Sequence, residues 1–315
     1  MDVLDDILGT LNLKGALYFR TDFSPPWAVS VPELAHAARF HLVVQGRCRV
    51  EVAARGAVDL GPGDLVLIPR GRSHVLADAA GRSAPPLETV LAQAGYDGAG
   101  VLVMGHGDPT ATTQMICGHF TFRNGADHPL LQALPDYLVT TMSMRAREPW
   151  LDEMLRLIAR RLFADEIGSA ASVTRLSEIV FIELLRVGIA QSVELKSVLD
   201  AFRDAQIGRA LHLVHARPAH PWTVETLAAE VGMSRSRFAE RFSDLIRMGP
   251  MAYLAEWRLQ KALAMLDESR CSVQQVAAQI GYQSPAAFTR AFSGKFGISP
   301  TEYRRNADFF ADRPV

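Results

Sequence analysis

The chain has 315 residues, 49% of them hydrophobic, and 33 Lys and Arg against 34 Asp and Glu give a formal net charge of −1. That length allows two domains with separate cores, and no run of eighteen apolar residues marks a membrane span. The start, Met1-Asp2-Val3-Leu4-Asp5-Asp6, is acidic and unlike a signal peptide, and three scattered cysteines without Cys-x-x-Cys spacing argue against a disulfide scaffold and for a reducing cytoplasm.

From about residue 16 to 141 the chain is a series of short apolar runs separated by Gly, Pro and Asp. Residues 40–44, 48–52, 64–68, 87–91, 101–105 and 113–122 are expected as strands. Many short strands with Gly and Pro turns predict a small β-barrel. Residues 150–163 follow, with Leu151, Met154, Leu155, Ile158 and Leu162 at helical spacing. Residues 169–191 continue the pattern with Leu176, Ile179, Val180, Leu184 and Leu185. These helices either cover one face of the barrel or join two copies of the chain. Their apolar content exceeds what one face needs, so a homodimer is expected. Residues 193–204 form the linker to the last third. The fold class is therefore α+β multidomain: a barrel over residues 1–148, a helical segment and linker over 149–203, and an all-α domain over 204–315.

That last domain contains one pattern twice. Leu227-Ala228-Ala229-Glu230-Val231-Gly232 precedes Phe238 and Phe242, and Val276-Ala277-Ala278-Gln279-Ile280-Gly281 precedes Phe288 and Phe292. Each copy reads as a short helix, a glycine turn and a second helix, which is a helix-turn-helix unit. Thr223 and Ser272 are placed to cap the first helix of each copy, and Ser234 and Ser284 the second. Pro285 stands at a first helical position, where a missing N–H is harmless. Between the copies, Gly249-Pro250 opens a helical stretch to about Asp267. At 1.5 Å per residue it spans roughly 25–27 Å, of the order needed to hold two recognition helices about one DNA turn, ~34 Å, apart. The charge agrees. Residues 204–307 carry thirteen Lys and Arg against nine Asp and Glu, net +4, whereas residues 1–203 carry nineteen against twenty-three, net −4. A mildly basic domain suits phosphate contact.

The motifs Trp222-Thr223, Gly232-Met233-Ser234, Arg258-Leu259-Gln260-Lys261-Ala262 and Ile280-Gly281-Tyr282, with Phe288-Thr289-Arg290-Ala291-Phe292, Phe296-Gly297-Ile298-Ser299-Pro300 and Tyr303-Arg304-Arg305, carry a resemblance. Over about a hundred residues the chain resembles the DNA-binding domain of the AraC/XylS family of bacterial transcriptional regulators. In that family the outer faces of the two recognition helices contact bases. The resemblance implies Ser236, Ala239 and Glu240 in the first and Pro285, Ala286 and Arg290 in the second, with Ser284 at its start. Arg235, Arg237 and Arg241 are expected on phosphates. The implied partners are double-stranded promoter DNA and, for an activator, RNA polymerase.

Gly63-x5-Pro69-x-Gly71-x2-His74, with Phe40-His41 and Gln45-Gly46 upstream, resembles the motifs of cupin barrels, in the form of the sensor domain that some AraC-like regulators carry. The His-x-His pair and Glu of enzymatic cupins are missing, and Arg39 sits near the Glu position. His41, His74, Cys117 and His119 are the candidate ligands, because imidazole and thiolate suit Zn or another late divalent metal and strand alternation puts them on one face. They are expected to hold a divalent metal or to contact a small-molecule effector, and the plainer alternative is that they are ordinary core residues. The leading function is a ligand- or metal-responsive DNA-binding regulator, not an enzyme. The alternative is a cupin-type metalloenzyme, a dioxygenase or isomerase, with an accessory helical domain.

Overall fold

The computed structural model describes residues 3–52, 56–98, 100–107, 111–123, 134–141, 149–164, 169–191, 200–268 and 271–311. They fall into two units. One gathers residues 13–122 and 134–191, and the other residues 3–12, 123 and 200–311.

The first unit contains β1 (Lys14–Phe23), β2 (Ala28–Val31), β3 (Ala37–Gln45), β4 (Cys48–Val52), β5 (Gly56–Leu60), β6 (Leu65–Ile68), β7 (His74–Ala77), β8 (Val101–Met104), β9 (Thr113–Thr121) and β10 (Leu138–Thr140). They build a six-stranded sheet in the order β10-β6-β3-β9-β1-β8 and a four-stranded sheet in the order β2-β7-β4-β5. Among the described strands only the β1–β8 pair is parallel. Between the sheets lies an apolar core that includes Phe23, Trp27, Val29, Val43, Val50, Val66, Ile68, Leu76 and Met115. Each such side chain contributes about 1.5–3 kcal/mol by leaving water. The Pro69-Arg70-Gly71 turn leads from β6 towards β7. Gly71 has φ +59, and a Cβ there would lie 2.1 Å from the Leu34 carbonyl oxygen, so only glycine fits.

Residues 87–91, expected as a strand, belong to a helix outside both sheets (Leu87–Ala94). The preceding Pro86 stands at its N-cap, Glu88 lies in its first turn, and Gly95 closes it in the left-handed conformation. Leu87, Val90 and Leu91 are then three and four apart, on one helical side.

Two helices complete this unit, Pro149–Ala164 and Ser169–Gln191. The second packs on the outward side of the six-stranded sheet. Fully buried Phe181 stands 4.7 Å from Phe120, which is 5.2 Å from Phe40. Glu178 Oε1 accepts the Gly15 N–H at 3.3 Å. The helix therefore covers the barrel. On its other side Ile179 is 47% exposed. The expected division at residue 148 differs from this grouping, because both helices belong to the barrel unit. Of the expected linker, residues 193–199 lie outside the described residues.

The second unit is helical. Numbered in chain order with Leu87–Ala94 as α2 and the two barrel helices as α3 and α4, its helices are α1 (Val3–Leu11), α5 (Ile207–Ala216), α6 (Val224–Glu230), α7 (Arg235–Ile246), α8 (Pro250–Glu268), α9 (Val273–Gln279), α10 (Pro285–Phe296) and α11 (Pro300–Ala311). Long α8 carries both halves. Phe242 packs edge-on to Tyr253 at 5.7 Å in the first. In the second, Phe292 meets Phe288, Phe296 and Tyr303 around Leu263 and Leu266.

The amino-terminal helix α1 was not anticipated in this unit. It packs against α5 and α8, with Ile7 fully buried. Asp6 lies 3.8 Å from both His215 Nδ1 and Lys261 Nζ. His215 stacks on Trp257 at 3.8 Å, and its Nε2 pairs with the Tyr253 hydroxyl at 2.7 Å.

Candidate nucleic-acid interface and sensor cavity

The two helix-turn-helix units are built by the same short-range devices. Thr223 and Ser272 each accept a backbone N–H three residues on, and Thr226 and Gln275 reach back to complete capping boxes. Ser234 and Ser284 cap the recognition helices α7 and α10. Each such cap holds its helix start by about 0.5–2 kcal/mol. Gly232 and Gly281 turn the chain at φ +67 and +86. The first has open space around it. A Cβ on the second would sit 2.7 Å from the Ala219 carbonyl oxygen.

Burial of Phe238 and Phe242 on α7, and of Phe288 and Phe292 on α10, turns the opposite sides outward. Ser236, Arg237 and Glu240 are exposed on α7, as are Pro285, Ala286 and Arg290 on α10. Ala239 is half-buried at the flank. The Ser284 hydroxyl is occupied by the Ala287 N–H at 3.2 Å.

Two of the arginines expected on phosphates are held within the domain. Arg235 Nε meets Glu225 at 2.9 Å. Arg241 donates from Nε to Asp204 Oδ2 at 2.9 Å, with a second contact from its Nη2. The other oxygen of Asp204 accepts the N–H groups of Gln206 and Ile207 and so starts α5. Burial pushes the Asp204 carboxyl up, but these donors outweigh it and hold it below its ordinary value. Asp204 thus ties α5 to the recognition helix. Its role lay beyond sequence reasoning, because Arg241 is 37 residues away.

In the barrel unit, register places His41 opposite Cys117 and Arg39 opposite His119 between β3 and β9. His41, His74 and Cys117 form one buried hydrogen-bonded chain. His74 Nδ1 lies 2.8 Å from the Arg72 carbonyl oxygen, His74 Nε2 2.8 Å from His41 Nε2, and His41 Nδ1 3.1 Å from Cys117 Sγ. A carbonyl can only accept, so His74 carries its proton on Nδ1. Its Nε2 then accepts from His41 Nε2–H, and His41 Nδ1 accepts from the Cys117 thiol. Every member is neutral and paired.

The electrostatics agree. Burial lowers His74 to about 4, with the positive field of Arg39 adding to it against the raising effect of the Arg72 carbonyl. Burial and Arg39 lower His119 to about 4 as well. His41 is pushed well down by burial, then by His74 and Arg39. Burial raises the Cys117 thiol far above its ordinary value and Cys48 to about 12. Both thiols are protonated and inert.

This donor set does not fit a metal ion. His41 presents opposite ring nitrogens to His74 and to Cys117, so one ion cannot take all three. Among the described residues no group of three His, Cys, Asp or Glu converges on a metal-sized point. The guanidinium of Arg39, beside His119 in register, also opposes a cation. Next to the chain is a narrow cavity of about 20 Å3 lined by Thr21, Phe23, Val29, Val31, Arg39, His41, Leu76, Leu87, Leu102 and Cys117, room for a water or two.

Comparison with known proteins matches both parts of the chain to known families. A Cupin family model matches residues 2–190, and a Helix-turn-helix domain model matches residues 227–306. The chain is similar to the HTH-type transcriptional regulator AlkR of Acinetobacter baylyi, 32% identical over 98% of this chain and 100% of that protein. It is also similar to RclR of Escherichia coli K12, an RCS-specific HTH-type transcriptional activator, 27% identical over 96% of this chain and 97% of that one. Among solved structures it resembles the DNA-binding domain of AdpA in complex with a target DNA. There the identity is 34%, over 35% of this chain and 97% of that chain, with a TM-score of 0.32.

Proposed function

The chain belongs to the AraC/XylS family of bacterial transcriptional regulators with an N-terminal cupin domain, and from that premise we propose that α7 and α10 enter two major-groove segments of promoter DNA while the cavity between the barrel sheets takes a small-molecule effector. The observation that carries the reading is the pair of equally capped recognition helices whose exposed sides hold Arg237 and Arg290. Cupin metalloenzyme chemistry is not the function: the relatives are regulators, and His41, His74 and Cys117 are tied into a relay. The effector enters beside Arg39 by displacing Leu87 or Leu102, since the cavity at rest has room only for water.

The site of action proposed is the cytoplasm. No helix among the described residues is long and apolar enough to cross a membrane. A homodimer is supported by Ile179, which stays exposed on the barrel-covering helix, and RNA polymerase is the further partner if the protein activates.

The test is to sequence the genomic duplexes retained by the full-length protein and to measure affinity against salt. A common sequence element is expected, with binding that falls steeply as salt rises. Arg290→Ala should cost about 1–3 kcal/mol and relax one base position if its contact is bidentate to guanine. Retention of all fragments alike, or of none at low salt, would overturn the reading.

A further inference from the structure

Helix α7 buries Phe238, Phe242 and Ile246. At about 100° per residue, Glu240 and, one turn on, Asp244 lie opposite that buried side, and Glu240, with Ser236 and Arg237 flanking it, is the one nearer the N-terminal end that reaches base edges. Glu240 is exposed, and its carboxylate makes no hydrogen bond or ion pair among the described residues. Arg235 and Arg241 are committed to Glu225 and Asp204, and Arg237, exposed three residues before Glu240, makes no ion pair with it among the described residues. The centre of the face offered to DNA is therefore an uncompensated negative charge in a domain whose net charge is positive.

Such a charge is repelled by the phosphates. It can be favourable only against a donor on a base edge. The major groove offers two, the N4 amino group of cytosine and the N6 amino group of adenine, and adenine sets the acceptor N7 beside its donor. Guanine and thymine present acceptors. A carboxylate has acceptors only, so cytosine attracts it, adenine is mixed, and guanine and thymine repel it. Resting on the reading that α7 lies in the major groove, we propose that Glu240 selects cytosine at one position of the site by accepting a hydrogen bond from its N4 amino group. The selection works as much by excluding guanine and thymine as by the bond itself.

The experiment is selection of sites from a randomised duplex pool by full-length wild type, Glu240→Ala, Glu240→Gln and the charge control Asp244→Ala, which removes an exposed acid one turn further along α7. Wild-type sites should share one cytosine preferred roughly ten-fold over guanine or thymine. Glu240→Ala should flatten that position alone. Glu240→Gln should move it towards adenine, the base whose donor and acceptor match an amide. Asp244→Ala should leave the profile unchanged. An unaltered base profile for Glu240→Ala, or equal tightening on every sequence as in the control, overturns the proposal while leaving the DNA-binding reading intact. A wild-type pool with no common sequence overturns both.

Discussion

Acidification from pH 8 to pH 5 should loosen the barrel through its neutral histidines. His74 and His119 each hold a pKa of about 4 in the folded chain, lowered first by burial, against about 6.5 when unfolded. Between those values the unfolded chain binds protons that the folded chain refuses, so folding stability falls as pH falls. Their contribution is fully present above about pH 6.5, is lost progressively below it, and levels off below about pH 4. At pH 5 the difference is ~1.5 pH units for each histidine, about 2 kcal/mol each and ~4 kcal/mol for the pair. His41, also pushed down, acts in the same direction. Against a typical total of roughly 5–15 kcal/mol, this is a large share. The assay is hydrogen exchange on the full chain at both pH values, corrected for intrinsic rates and read on β3 and β9. Protection there should drop by about a thousand-fold at pH 5. Chelator at pH 8 should change nothing, because the relay holds no metal. Equal protection at both pH values would refute the neutral relay, and loss of protection on chelation would refute the fit argument against metal.

Three further substitutions probe the helical unit. Gly232→Ala should cost about 1–2 kcal/mol, the left-handed backbone alone. Gly281→Ala should cost more, because its Cβ also meets the Ala219 backbone; urea unfolding compares them, and equal losses would show that the contact gives way freely. Ile7→Ala, at a fully buried position of α1, should destabilise the DNA-binding unit by about 2–5 kcal/mol. Exchange protection in α5 and α8 reports it, and protection equal to wild type would mean that α1 does not support those helices.

The helix-turn-helix pair was legible because its signals are short-range. Thr223, Ser234, Ser272 and Ser284 cap helices through partners three residues away, and the Phe pairs repeat at the helical period. The run at 87–91 reads as a strand although it is helical, because a short apolar segment suits a strand or a helix equally, and the deciding residues, Pro86 and Gly95, stand outside it. In the barrel, residue type and alternation were enough to gather His41, His74 and Cys117. They could not say whether the three converge on an ion or stand in line. That depends on which ring nitrogen faces which partner, across 33 and 76 residues of chain.

Sequence by itself determined what local geometry dictates: the caps, the turns, the buried stripes and hence the outward faces of α7 and α10. Only the tertiary structure decided which charges remain available on those faces and where α1 sits. Asp204 captures Arg241, Glu225 captures Arg235, and Ile7 enters a seat on α5 and α8. These contacts join residues of different elements, and their energies depend on burial and distance, which exist only after the chain has closed on itself.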